Sequence, residues 1–171
     1  MPKISATQAQ TMLNTMATMQ EEHNLLLHAE WREQGFEFYR AMWVECAEML
    51  DHFGWKWWKQ QSPDIDQVKL ELVDIWHFAL SELMRDGEIP PAVAEQLASV
   101  AVRESADADA FRLAIETLAG SCLQTRSFDL SGVHCCDGDT AHGLCRALCA
   151  VYWQEHAEPV SSKQRLQEWR V

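Results

Sequence analysis

Glycine and proline are scarce, seven and five in 171 residues. That argues against a fold built from many tight turns. Alternating β-branched runs are few, so a sheet has little to draw on. No stretch reaches the roughly 18 charge-free apolar residues that a membrane-spanning helix needs. Positive charge is in deficit, with 14 Lys and Arg against 26 Asp and Glu and a formal net charge of −12. A basic footprint for a nucleic-acid polymer or a membrane surface is thereby excluded. An anionic small molecule stays possible if metal ions stand between it and the protein. There is no Gly-rich phosphate loop of the G-x-x-x-x-G-K-[ST] kind. The first residues carry no apolar core ending in a small-residue cleavage site, so no signal peptide is expected. Six cysteines are present, yet no C-x-x-C pair. Cys46 sits within a helical pattern, and four of the six crowd into Cys135–Cys149. This is the usage of a reducing compartment, and the cytoplasm is expected.

What is present is ordinary globular composition, 47% apolar and 23% charged, in a chain long enough to bury one core. Apolar residues recur at three- and four-residue spacing, the signature of helices. Ser5 with Gln8 forms a capping-box start. The helix it opens carries Met12, Met16, Met19 and His23 down one side, the three methionines read as core packing or a dimer seam. A second helix is predicted from about Phe36 to Phe53, stopped by Gly54 and followed by Trp55-Lys56-Trp57-Trp58-Lys59. Ser62-Pro63-Asp64 breaks the chain and caps a third helix from about Ile65 to Met84. Val68, Leu72, Ile75 and Ala79 share one of its sides, with Glu71, Asp74 and His77 on a neighbouring one. Pro90-Pro91 opens a fourth helix to about Arg103, and a fifth spans about Asp107 to Ala119. The expected fold is an all-α bundle. It occupies residues 1–130, and residues 131–171 form an atypical tail of weak periodicity.

The chemistry-bearing feature is a set of carboxylates. Glu45 and Glu48 are three apart on the second helix, and Glu71 and Asp74 are three apart on the third. Side chains at that spacing share a helix face. If the two helices are antiparallel neighbours, four carboxylates converge within apolar surroundings. Unpaired, they would repel one another and resist burial. A hard divalent cation such as Mg²⁺ resolves both problems, takes oxygen ligands and shares its shell with water and phosphate. Carboxylates with Mg²⁺ bind phosphates and activate water. The plain alternative is four solvated acids on amphipathic helices.

The runs Glu45-Cys46-Ala47-Glu48, Trp55-Lys56-Trp57-Trp58-Lys59 and Glu71-Leu72-Val73-Asp74-Ile75-Trp76-His77-Phe78 closely resemble the dimeric all-α dUTPases. These belong to the wider all-α NTP pyrophosphatase superfamily. The resemblance is close over about Met16–Met84 and loose over Ala92–Phe128. It implies Mg²⁺-dependent conversion of dUTP to dUMP and pyrophosphate, with dUDP also accepted, by a homodimer. Glu45, Glu48, Glu71 and Asp74 match the family's metal ligands, with Glu48 and Glu45 as the catalytic pair and Glu48 activating the attacking water. Gln20 and Asn24 match an amide pair near the nucleoside. Trp55, Lys56, His77 and Phe78 match positions lining the base and sugar pocket. Each also has a plain reading. Trp55 and Phe78 suit a core, His77 suits a satisfied core histidine, and Gln20 and Asn24 suit a wet helix face.

One expected element is missing. The family carries a late motif resembling Y-I-G-K-N-x-L-N-x-F-R-Q-x-x-G-Y-K-x-G, whose Lys, Asn, Arg and Tyr hold phosphates. Arg146, Lys163, Arg165 and Arg170 do not occur in that pattern. The genetic code offers a reason. Read one base later, the Trp153 codon before Gln154 must give Gly, Gln154 before Glu155 gives Lys or Arg, Glu155 before His156 gives Asn or Ser, and Trp169 again gives Gly. With permitted third bases, Val151–Val171 then spells the missing motif. The segment from about His134 onward therefore reads as an out-of-frame translation, the shift lying within Ser127–Cys136. On that reading the late Cys and His residues carry no zinc chemistry, and their spacing fits no common structural site. Without the late cations the phosphates lose charge-assisted hydrogen bonds. Weak or no turnover of dUTP is expected, with Mg²⁺ binding retained.

Three other functions stay open on the sequence. One is another all-α nucleoside triphosphate pyrophosphohydrolase. The second is a non-catalytic metal- or nucleotide-binding helical protein. The third, a di-iron bundle, needs two Glu-x-x-His motifs, and only Asp74-x-x-His77 comes near.

Overall fold

The computed structural model describes residues 4–99 and 108–128. The tail from residue 129 lies outside the described residues, and so do the expected end of the fourth helix near Arg103 and the expected start of the fifth at Asp107. Five helices and no strand appear among the described residues: α1 (Ala6–Leu27), α2 (Phe38–Phe53), α3 (Ile65–Leu83), α4 (Pro91–Ser99) and α5 (Ala108–Thr125). The all-α expectation is met.

Local chemistry sets the helix ends. The Ser5 hydroxyl accepts from the Gln8 amide at 3.2 Å, and the Gln8 side chain accepts from the Ser5 amide at 2.9 Å. Two orphan donors of α1 are thus satisfied. Helix α2 begins at Phe38, two residues later than expected, with Glu37 at its N-cap. It stops at Gly54, whose φ of +94° favours glycine. A Cβ there would also meet Gln61 Cβ at 3.1 Å. Asp64 caps α3 by accepting from the Gln67 amide at 3.2 Å. Helix α5 runs to Thr125, beyond the expected end near Ala119.

The buried stripe of α1 differs from the expected one. It is Ala9, Leu13, Met16, Gln20 and Asn24. Of Met12, Met16, Met19 and His23 only Met16 is fully buried. Two amides belong to the inward face, and a hydropathy pattern assigns amides to water.

Helix α3 is the centre of the molecule. Val68, Leu72, Ile75 and Ala79 are buried as expected, and so are Trp76 and Leu80. The Trp76 indole N–H points at Met16 Sδ, 3.3 Å away, which pins α1 to α3. Each fully buried side chain of this size contributes about 1.5–3 kcal/mol. The widest packing is α2 against α3, then α2 against α5, with α1 resting on α4 and α3. The Asp64 amide donates to the His52 carbonyl at 2.9 Å. That bond closes the connection between α2 and α3 at its base and leaves them as antiparallel neighbours. Helix α5 packs Phe111 on Phe53 with ring centroids 4.3 Å apart, and Arg112 Nε donates to the Gly54 carbonyl at 2.8 Å. Arg32 grips both carboxylate oxygens of Glu21 at 2.7 and 2.6 Å and the Met84 carbonyl at 3.2 Å. The α1–α2 connection is thereby held against the end of α3.

Candidate functional site

The antiparallel pairing of α2 and α3 brings acids together. Glu45 from α2 and Glu71 and Asp74 from α3 each offer an oxygen, and these oxygens lie within 4.8 Å of one another. Glu71 is buried, whereas Glu45 and Asp74 are half-buried. Such crowding resists ionisation. Burial first, then a hydrogen bond to Glu71, then the charges of Asp74, Glu48 and Glu71 push Glu45 up to about 8. Burial, then the charges of Glu71 and Glu48, push Asp74 up to about 6. A proton at the cluster offsets part of the repulsion that a cation would remove entirely.

Glu48 departs from the expected foursome. It is exposed and stands outside the three-acid group, although its charge acts on both Glu45 and Asp74. It lies three residues along α2 from Glu45. One turn further along α2, His52 Nε2 stands 3.4 Å from Glu71 Oε1. The sequence reading passed over His52, although it follows Glu48 by one helical turn.

The donor set suits a hard divalent cation. All its members are carboxylate oxygens, they are close enough to share one ion, and two of the three acids are only half-buried. Glu45, Glu71 and Asp74 would hold such an ion, with Glu48 beside it.

The six residues matched to the nucleoside fall into separate groups. Gln20, Asn24 and His77 meet between α1 and α3, and all three are buried. Gln20 Nε2 donates to Asn24 Oδ1 at 2.9 Å and to Ser81 Oγ at 3.1 Å. Asn24 Nδ2 donates to Ser81 Oγ at 3.0 Å. Gln20 Oε1 lies in short contact with His77 Nδ1. The wet-surface reading of the two amides is therefore wrong. Ser81, 1% exposed, joins them and was missed. Its only signal in the sequence is its place one turn after His77.

Trp55 and Lys56 stand elsewhere, past the end of α2. Their backbone amides both donate to Gln61 Oε1, at 3.0 and 2.7 Å. The Trp55 indole donates to Asp51 Oδ1 at 2.9 Å, and the Lys56 ammonium pairs with the same oxygen. A cleft of about 370 Å³ opens here, with Phe53, Trp55, Lys56, Lys59 and Arg112 among its lining residues. Gln20, Asn24, His77 and Phe78 do not line it. Trp55 is 44% exposed, so it is not core. Phe78 packs against the core and faces the Phe38 ring with centroids 6.4 Å apart. A larger groove of about 990 Å³ lies along α1 and the turn before α4, with none of the carboxylates of the cluster in its lining.

No curated protein matches the chain. No described helix is long and apolar enough to cross a membrane. The model of a family described as dUTPase matches residues 7–115, more than half of the chain. That span contains the three converging carboxylates, Glu48, the Trp-Lys connection and the buried amide pair. The helical fold and this match agree, and the chain belongs to the dUTPase family, whose members are dUTP pyrophosphohydrolase-like enzymes.

Proposed function

We propose that the protein is a Mg²⁺-dependent dUTP diphosphatase, converting dUTP and water to dUMP and pyrophosphate. The observation that carries this is the approach of Glu45, Glu71 and Asp74 oxygens to within 4.8 Å of one another across α2 and α3. When bound, Mg²⁺ supplies positive charge that draws in the triphosphate oxygens and stabilises charge developing on them. Glu45, Glu71 and Asp74 bind the cation. Glu48, exposed beside them, orients the attacking water and takes its proton. Water adds to phosphorus, the bond to the departing pyrophosphate oxygen breaks, and the displaced proton passes to Glu48. Gln20, Asn24 and His77 meet the nucleoside, while Trp55 and Lys56 flank it from the connection after α2 and Phe78 backs the pocket. Accepting dUDP needs no additional residue in this scheme.

The helical unit extends over residues 1–130, and residues 131–171 are an out-of-frame tail. Turnover is weakened because the late phosphate-holding cations are absent. The protein works as a cytoplasmic homodimer. Exposed Leu25, Leu26, Leu27, Trp43 and Val44 support an apolar contact between copies.

A pyrophosphate-release assay with Mg²⁺ over dUTP, dCTP, dATP and the ribonucleotides tests the reading. Release confined to dUTP supports it. Equal release from several nucleotides favours another pyrophosphohydrolase of the superfamily. No release, together with metal-dependent dUMP binding, favours a binding protein. Sequencing the source DNA across Ser127–Cys136 tests the tail, and a continuous in-frame reading there defeats the shift.

A further inference from the structure

The polar group between α1 and α3 contains a residue with no assigned role. Ser81 is 1% exposed, and its hydroxyl has one proton to give. That proton goes to the His77 carbonyl, 3.1 Å away, rather than to Asn24 Oδ1 at 3.4 Å. The oxygen of Ser81 then only accepts, and it accepts from two amides, Gln20 Nε2 at 3.1 Å and Asn24 Nδ2 at 3.0 Å. Both NH₂ groups are thereby turned toward Ser81. Asn24 Oδ1 is left to accept from Gln20 at 2.9 Å, and Gln20 Oε1 is left facing His77 Nδ1. An amide oxygen is only an acceptor, so Nδ1 of the imidazole carries the hydrogen. Both hydrogens of Gln20 Nε2 are then committed, while the Gln20 and Asn24 amide oxygens each keep a second lone pair.

We propose that Ser81 is a specificity-determining positioning residue. From one hydroxyl it fixes the orientation of the Gln20 and Asn24 amides and the Nδ1–H tautomer of His77. The donor and acceptor pattern that results accepts a base edge carrying an N–H, as uracil does at N3, and rejects one carrying a lone pair there, as cytosine does. A polar site with buried groups of set direction discriminates strongly, because the wrong edge leaves them unpaired. The role in base choice rests on the assignment of Gln20, Asn24 and His77 to the nucleoside, whereas the tautomer does not.

The test uses the full chain and two readouts. Two-bond ¹H–¹⁵N correlation spectra of the nucleotide-free protein report which ring nitrogen of His77 is protonated. His23, whose ring centroid is 6.4 Å away, must be assigned alongside it. Calorimetry then compares dUMP with dCMP in the presence of Mg²⁺, so no turnover is required. The wild type is expected to show Nδ1–H at His77 and to prefer dUMP. Ser81→Ala is expected to mix the tautomers and to cut the dUMP preference by about tenfold, the effect of one unsatisfied buried group. Ser81→Cys, nearly isosteric and a weaker hydrogen-bonding group, is expected to fall between the two and guards against a folding defect in the alanine variant. An Nε2–H tautomer in the wild type overturns the proposal whatever the protein's substrate. A tautomer that responds to Ser81 while base preference does not overturns the specificity role. Absence of any dUMP binding sinks the functional reading and leaves the tautomer result standing separately.

Discussion

Helix α3 carries two polar regions that solve opposite problems. Toward α2, Glu71 and Asp74 join Glu45 in a cluster of like charge. Toward α1, His77 and Ser81 join Gln20 and Asn24 in a neutral group whose hydrogen bonds close on themselves. The second is cross-bonded among its own members and fastens two helices. The first is held together against its own repulsion, at a cost visible in the raised values of Glu45 and Asp74. Polar burial alone therefore does not mark a cation site. Polar burial that is poorly compensated does.

The contrast is broken most sharply by neutralising the cluster. Glu71→Gln is expected to lower dUTP turnover by about two to three orders of magnitude, the several kcal/mol that a metal's charge supplies. The same change is expected to leave the thermal midpoint of the metal-free protein level or higher, because a like charge has gone. Pyrophosphate release and calorimetric melting check the two halves.

Moving a charge to the neutral side gives a smaller and opposite effect. Asn24→Asp places a carboxylate in a buried group built around amides, and about 2–3 kcal/mol of stability is expected to be lost at neutral pH. Urea titration reads it directly.

The acid–base behaviour of the cluster sharpens the comparison further. Glu45 and Asp74 hold their protons more tightly folded than unfolded, with folded values of about 8 and 6. Between the ordinary carboxylate range and those values the native state binds more protons, so stability falls as pH rises. The advantage is complete below about pH 4 and is gone once pH passes about 8. Melting of the metal-free protein across this window is expected to slope downward. Mg²⁺ is expected to raise the midpoint at pH 8 and to do little at pH 5, where protons compete. A flat profile with no metal effect would dissolve the distinction between the two regions.

The smallest expected effect lies outside both. Ser5→Ala removes the α1 cap and costs about 1 kcal/mol, with no change in base preference or metal affinity.

Much of the fold was legible because its signals are local. The Ser5–Gln8 box, Gly54, and the Asp64 cap fix helix ends within a few residues of the chain. Glu45, Glu71 and Asp74 were legible for the same reason, as i,i+3 spacing puts acids on one face. Glu48 shares that spacing yet is exposed, and spacing along one helix does not decide how deeply each acid is buried. Ser81 was invisible for a deeper reason. A buried serine in a helix is unremarkable until α1 is known to lie across it. The burial of Gln20 and Asn24 was illegible for want of the same contact.

The bond between the Asp64 amide and the His52 carbonyl has an architectural consequence. It fastens the two long rods at the point where they diverge, so the Trp-Lys excursion hangs from a closed clasp. Rewriting or lengthening that excursion would alter what greets an arriving ligand while the spacing of the acidic cradle stayed the same. The lining of the cleft at that excursion and the acidic cluster are thus separable parts, free to change at different rates.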